Sequence, residues 1–133
     1  MVPVETLSAS TLHTAEIVSR ISFTLPAPGT FHYHKAARRA LNSASIVTVA
    51  AVLPVAAGLI KGCRVALGGV APRPVRAASV EALLEGKPLT LATVEAAAAA
   101  AKADIHPATD AYASAWYRAR VTPVHIRRAI LGE

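Results

Sequence analysis

A single cysteine, Cys63, is all the thiol chemistry in this chain of 133 residues, which excludes an internal disulfide framework. Beside an apolar stretch it reads as a buried, inert thiol. Aromatic residues are scarce, at 5%, so the core must be assembled from Ala, Val, Leu and Ile, with much of the apolar content in small alanines. Such a core depends on close packing of its elements or on a partner surface. Charge is scarce as well, 17% against 53% apolar residues, a balance that excludes a disordered chain. Acidic residues are the rarer sign, eight against fourteen Lys and Arg for a net charge of +6. That excess fits nucleic acid, an anionic cofactor or an acidic protein partner. No apolar run reaches the ~20 residues of a spanning helix. The longest, Ala44 to Ile60, is broken by Pro54 and Gly58. Its first half is rich in β-branched residues, which indicates a buried strand. Met1 to Ser10 lacks the basic start and apolar run of a secretory leader, and a cytoplasmic location is expected.

Several kinds of chemistry have no footprint. His13, His32, His34, His106 and His125 show no metal-ligand spacing; His32 and His34 share one strand face, but no Cys or carboxylate completes a site in sequence. No nucleophile and base can be paired. The double glycine Gly68-Gly69 follows a strand but does not open onto a helix, so it is not a dinucleotide fingerprint. On a helix, Asp110, Ser114 and Tyr117 would share a face, and capping by Asp110 with packing of Trp116 and Tyr117 accounts for them structurally.

What is present has a clear order. Residues 1–13 read as an N-terminal arm and 14–133 as one domain, of a size that supports a real core. Glu16 to Leu25 alternates, with Ile17, Ile21 and Phe23 apolar, and reads as a strand that Pro26-Ala27-Pro28-Gly29 ends. Thr30 to Lys35 reads as a second strand. Ser45–Leu53 and Leu59–Leu67 read as an antiparallel hairpin turning at Pro54–Gly58, an unusually apolar turn suited to a covering partner. Pro72 and Pro74 force an extended exit from Gly68-Gly69. Helices are expected over Ser79–Leu84 with Ser79 as N-cap, over Thr90–Ala103, from Thr109 or Asp110 to about Val121, and over Val124–Leu131 with Thr122 as N-cap and Pro123 at the first position. Strands first and helices second describe an α+β domain: an antiparallel meander of three to four strands with three to four helices on one face.

Four segments carry a family resemblance. They are Glu16-Ile17-Val18 with its strand to Pro26, Tyr33-His34-Lys35-Ala36-Ala37-Arg38-Arg39, the run Arg64 to Ala77 followed by Glu81 and Gly86, and Asp110-Ala-Tyr-Ala-Ser114-Ala-Trp-Tyr117-Arg118. In this order, over residues 14–131, the chain resembles the C-terminal domain of the FAD-binding medium subunit of molybdenum hydroxylases, the carbon monoxide dehydrogenase, xanthine dehydrogenase and aldehyde oxidoreductase type.

The resemblance implies that Lys35 approaches the flavin and that Val18 lies against the flavin ring. It further implies an accessory role: closing the flavin site and docking subunits, while electrons pass from iron–sulfur clusters to FAD. Its implied partners are an FAD-binding N-terminal half, a large subunit with the molybdenum cofactor and a small subunit with 2Fe-2S clusters, with a homo-oligomer also open. These residues contain no phosphate cradle like the one in the family's upstream half, so the chain is expected not to hold FAD tightly alone. The competing reading is a stand-alone binding or structural module without a flavin role, its basic residues Arg118, Arg120, Arg127 and Arg128 serving nucleic acid or protein.

Overall fold

The computed structural model describes residues 16–133; the arm expected over residues 1–13 lies outside them. Four strands form the main sheet: β1 (Phe31–Ala37), β2 (Ser45–Val52), β5 (Arg64–Gly68) and β6 (Val75–Arg76), all antiparallel in the order β1-β2-β5-β6. A small hairpin, β3 (Val55–Ala56) with β4 (Leu59–Ile60), interrupts the meander between β2 and β5. Three helices follow: α1 (Ala78–Leu84), α2 (Leu91–Ala100), which runs on into a 3₁₀ turn over Ala101–Ala103, and α3 (Ala115–Leu131). Helix α1 packs on β5, α3 on β1 and β2, and α2 joins the other two helices. The expected α+β meander with helices on one face is the observed fold.

Alternation explains the sheet. Val47, Val49 and Ala51 of β2 and Val65 and Leu67 of β5 are fully buried toward the helices, while their neighbours face the other way. The expected long strand Leu59–Leu67 is two strands, because Gly62 takes a left-handed φ of 69° that breaks the pleat. The Glu85 carboxylate holds the break by accepting from Gly62 N at 2.9 Å and Cys63 N at 3.3 Å. These amide bonds, Gly62 first, hold the Glu85 carboxyl below its usual range. Burial and the Glu85 charge push the adjacent Cys63 thiol up to about 11, so it is an inert core group as expected. The apolar turn closes with Ala57 and Gly58, at φ 51° and 78°, which is the double positive φ of a type I′ hairpin.

The alanine run of α2 does what a core poor in large residues requires. Ala97, Ala98 and Ala101 are buried, and their small side chains let the helices approach closely. Thr90 is its N-cap and accepts from Thr93 N at 3.3 Å. Ser79 is not a cap. The N-cap of α1 is Ala77, and Asp104, from the far end of the α2 segment, accepts from Ser79 N at 3.0 Å and Ser79 Oγ at 3.0 Å.

Three further expectations are corrected. Glu16–Leu25 forms no strand. Asp110 starts no helix: its Oδ1 accepts from Tyr112 N at 2.8 Å and Ala113 N at 3.0 Å, a local Asx turn, and Ser114 caps α3 by accepting from Tyr117 N at 3.2 Å. The two expected C-terminal helices are one. Thr122 and Pro123 lie inside α3, where the buried Thr122 hydroxyl donates to the Arg118 carbonyl at 2.6 Å. The buried stripe Arg118, Thr122, Ile126, Ala129 and Ile130 holds the helix on the sheet through the proline.

Candidate functional site

The sheet has two sides, and only one is covered by helices. Register places the outward residues in three rows: Phe31–Val52–Arg64, Tyr33–Ala50–Ala66 and Lys35–Thr48–Gly68. The middle of each row is small or aliphatic, giving a low floor. Its β1 rim carries two aromatic rings, Phe31 at 53% and Tyr33 at 59% exposure, and the exposed Lys35. Gly68 keeps the floor low: a Cβ there would collide with the Thr48 hydroxyl. The Lys35 ammonium forms no ion pair among the described residues. Val18, the other expected site residue, sits half-exposed in the segment without regular structure ahead of the sheet. No hydrogen bond links the two.

Below the floor, a buried clamp fixes the geometry. Arg118 is 3% exposed. Its Nη1 donates to Ile46 O at 2.6 Å and Gly69 O at 2.7 Å, and its Nη2 to Asp110 Oδ2 at 2.7 Å. One guanidinium thus joins α3, the start of β2, the double-glycine corner and the Asx turn. Two backbone N–H donors and Arg118 hold the Asp110 carboxyl below its usual range, Ala113 N–H first. Gly69 has φ 78°, and a Cβ there would stand 2.7 Å from Ile46 O, so the corner closes only on glycine. At the opposite edge, Glu81 of α1 accepts from Val65 N at 2.7 Å and Arg76 Nε at 2.7 Å. Burial opposes ionisation of Glu81, but Arg76 and the Val65 amide outweigh it and lower its pKa.

Sequence reading missed one contact. His34 of β1 and His125 of α3 stack with centroids 5.0 Å apart, and Nε2 of His34 lies 3.1 Å from Nδ1 of His125. Burial first, then the nearby His34 and Arg128, push the His125 pKa down. No group of three metal-ligating side chains occurs among the described residues. Of the basic cluster, Arg118 is buried and Arg127 pairs with Glu95 and Glu133, while Arg120, 5.5 Å over the exposed Trp116 ring, and Arg128 remain exposed.

The profile of the CO dehydrogenase flavoprotein C-terminal domain matches residues 31–132, the whole sheet and all three helices. The chain belongs to this family. It is 34% identical over 97 residues to the glyceraldehyde dehydrogenase medium chain of Sulfolobus acidocaldarius, covering 73% of this chain and 34% of that one. The carbon monoxide dehydrogenase from Hydrogenophaga pseudoflava, in a form lacking the Mo-pyranopterin moiety of its cofactor, has a chain that superposes with a TM-score of 0.72 at 33% identity, over 77% of this chain and 35% of that one. Quinoline 2-oxidoreductase from Pseudomonas putida 86 gives 0.71 at 28% identity, over 77% and 36%. The family member described here therefore spans about a third of the length of these relatives. No helix among its described residues is long and apolar enough to cross a membrane.

Proposed function

We propose that this chain, with residues 14–133 as its domain, is an accessory part of the flavin-binding component of a molybdenum-dependent hydroxylase, located in the cytoplasm. The observation that carries the reading is the uncovered floor. It is lined by the small residues Thr48, Ala50, Ala66 and Gly68, and flanked by Tyr33 and Lys35. Such a floor suits one side of a planar ring, and an amine at its rim suits a ring that gains electron density on reduction. Lys35 supplies that charge, and Val18 packs an aliphatic surface on the ring. FAD, when bound, supplies the redox centre that receives electrons from iron–sulfur clusters. The pyrophosphate needs a cradle that these residues do not offer. We therefore assign most of the FAD contacts to an FAD-binding N-terminal half outside these residues. The molybdenum cofactor and the 2Fe-2S clusters belong, on this reading, to a large and a small subunit, and hydroxylation takes place in the large one.

A visible spectrum tests this. The chain purified alone is expected to be colourless, and the complex isolated through a tag on it in its source organism is expected to absorb as a flavoprotein. In that complex, Lys35→Ala should lower the flavin reduction potential. Stoichiometric flavin on the isolated chain, or a complex without flavin, would overturn the reading. The nucleic-acid alternative predicts retention on DNA or RNA at low salt that is lost as salt rises; burial of Arg118 and pairing of Arg127 take two of its four arginines out of use.

A further inference from the structure

Helix α3 carries two stripes, and the sheet accounts for only one. Its buried stripe rests on β1 and β2. On the outer side Trp116, Ala119, Arg120, Pro123 and Val124 recur at i, i+3, i+4, i+7 and i+8, the spacing of a second packing face. Helix α2 borders this stripe without covering it. Ala99 and Lys102 form the far wall of a groove of about 710 Å³, with Ala119, Pro123 and Val124 between. Trp116, the single tryptophan of the chain, is 69% exposed at its rim, and Val124 is 41% exposed. Tryptophan is seldom left so open, because its ring carries a large apolar surface. The Arg120 guanidinium lies 5.5 Å from the ring centroid; stacking there holds it in place and leaves its N–H donors free. Neither Arg120 nor Lys102 forms an ion pair among the described residues. One turn further along both helices the charges are matched, Arg127 with Glu95 at 3.7 Å.

We infer that this groove docks an acidic, amphipathic helix of a partner protein chain. Charge and shape set the occupant. Two unpaired cations on opposite walls call for carboxylates on both flanks of the occupant, and the apolar bed between them calls for an apolar stripe. From Trp116 to Val124 the bed runs about 12 Å, room for roughly two turns of helix. An amphipathic helix laid in an apolar groove is a recurrent mode of recognition, and Trp and Arg are the residue types that dominate interface energetics. A second copy of this chain is a poor occupant, because each of its carboxylates from Glu81 to Glu133 is already engaged. Glu81 is held by Arg76, Glu85 by main-chain amides, Asp104 by Ser79, Asp110 by Arg118, and Glu95 and Glu133 by Arg127. Nucleic acid asks for a basic track along its backbone, and here two cations stand apart across an apolar bed. The groove lies on the outside of the helix layer, and the open floor lies on the other side of the sheet. Both faces are therefore open to partners at once.

Zero-length coupling tests the groove directly. The tagged full chain is isolated with its partners from its source organism and treated with a carbodiimide, which joins an amine only to a carboxylate in contact with it. Mass spectrometry should find Lys102 joined to Asp or Glu of a different protein chain, in a segment whose apolar residues recur at helical spacing. Trp116→Ala and Arg120→Glu should each lower recovery of that chain at least ten-fold. Arg120→Lys should largely restore it, and Lys61→Glu, the same charge change outside the groove, should leave it unaltered. The isolated variants should melt with the unaltered chain, since the substituted side chains are exposed. A Lys102 link to another copy of this chain, no Lys102 link, undiminished recovery by Trp116→Ala and Arg120→Glu, or retention on DNA or RNA that Arg120→Glu abolishes would overturn the docking site. Flavin absorbance of the same complex is read alongside, because the inference does not depend on the function proposed above. Flavin without a Lys102 link overturns the groove alone, and a Lys102 link without flavin overturns that function alone.

Discussion

The two faces of the main sheet are built from the same strands and serve opposite ends. On the helix side Val47, Val49, Val65 and Leu67 are wholly buried, and Arg118 and Glu81 pin helices to main-chain groups. On the open side the floor is small, the rim is aromatic and basic, and the exposed segment 17–25 lies at its end. One face therefore carries the stability of the domain, and the other contributes little to it. The lesson is that the same strands can leave apolar surface uncovered on one face while the other holds the core.

Substitutions should separate the faces sharply. Arg118→Ala strands the Ile46 and Gly69 carbonyls and the Asp110 charge, and should cost about 3–5 kcal/mol in denaturant unfolding, with no rescue by lysine, whose single amine cannot span the three partners. Gly69→Ala should cost about 2 kcal/mol or more, from positive φ plus the clash with Ile46 O. Gly58→Ala, with an equal φ but nothing within 4 Å, should cost only about 1 kcal/mol. Such a difference in melting temperature would locate the strain in the corner and not in the dihedral.

Acid should loosen the helix side first. Glu81 titrates below its unfolded value, so its contribution is intact above about pH 4.3 and lost as pH falls through the lower folded pKa. Glu81→Gln should flatten that limb. His125 has the same sign in a higher window. Its lowered pKa means that stability falls as pH drops below about 6.5, and His125→Gln should remove this slope between neutral pH and pH 5. The smallest effects belong to the open face. Tyr33→Ala and Lys35→Ala should shift the stability of the isolated chain by no more than about 0.5 kcal/mol; a larger loss would mean that this face does structural work after all.

Much of this was legible in the sequence where patterns are local. Alternation placed β1, a β-branched run placed β2, and the double glycine marked the corner. Reading failed where a distant residue supplied the missing part. Asp104, 25 positions away, does the capping expected of Ser79. Thr-Pro at 122–123 has the form of a helix start, yet packing of Ile126 and Ile130 on the sheet carries α3 through it. Once α3 was divided, the phase that brings His125 against His34 was lost. At 17–25 the alternation suggested a strand, and the described residues form none there. The open floor needed register, which no single segment discloses.

The clamp has one more consequence. Arg118 grips carbonyl oxygens of residues 46 and 69 and no side chain of β2. Every residue type has a carbonyl, so positions 45 and 46 are free to drift in identity as long as the strand keeps its path. Only the arginine, its aspartate and the glycine are held to one choice. The clamp therefore ties the path of the strand to three side chains and leaves the identity of the residues it grips open.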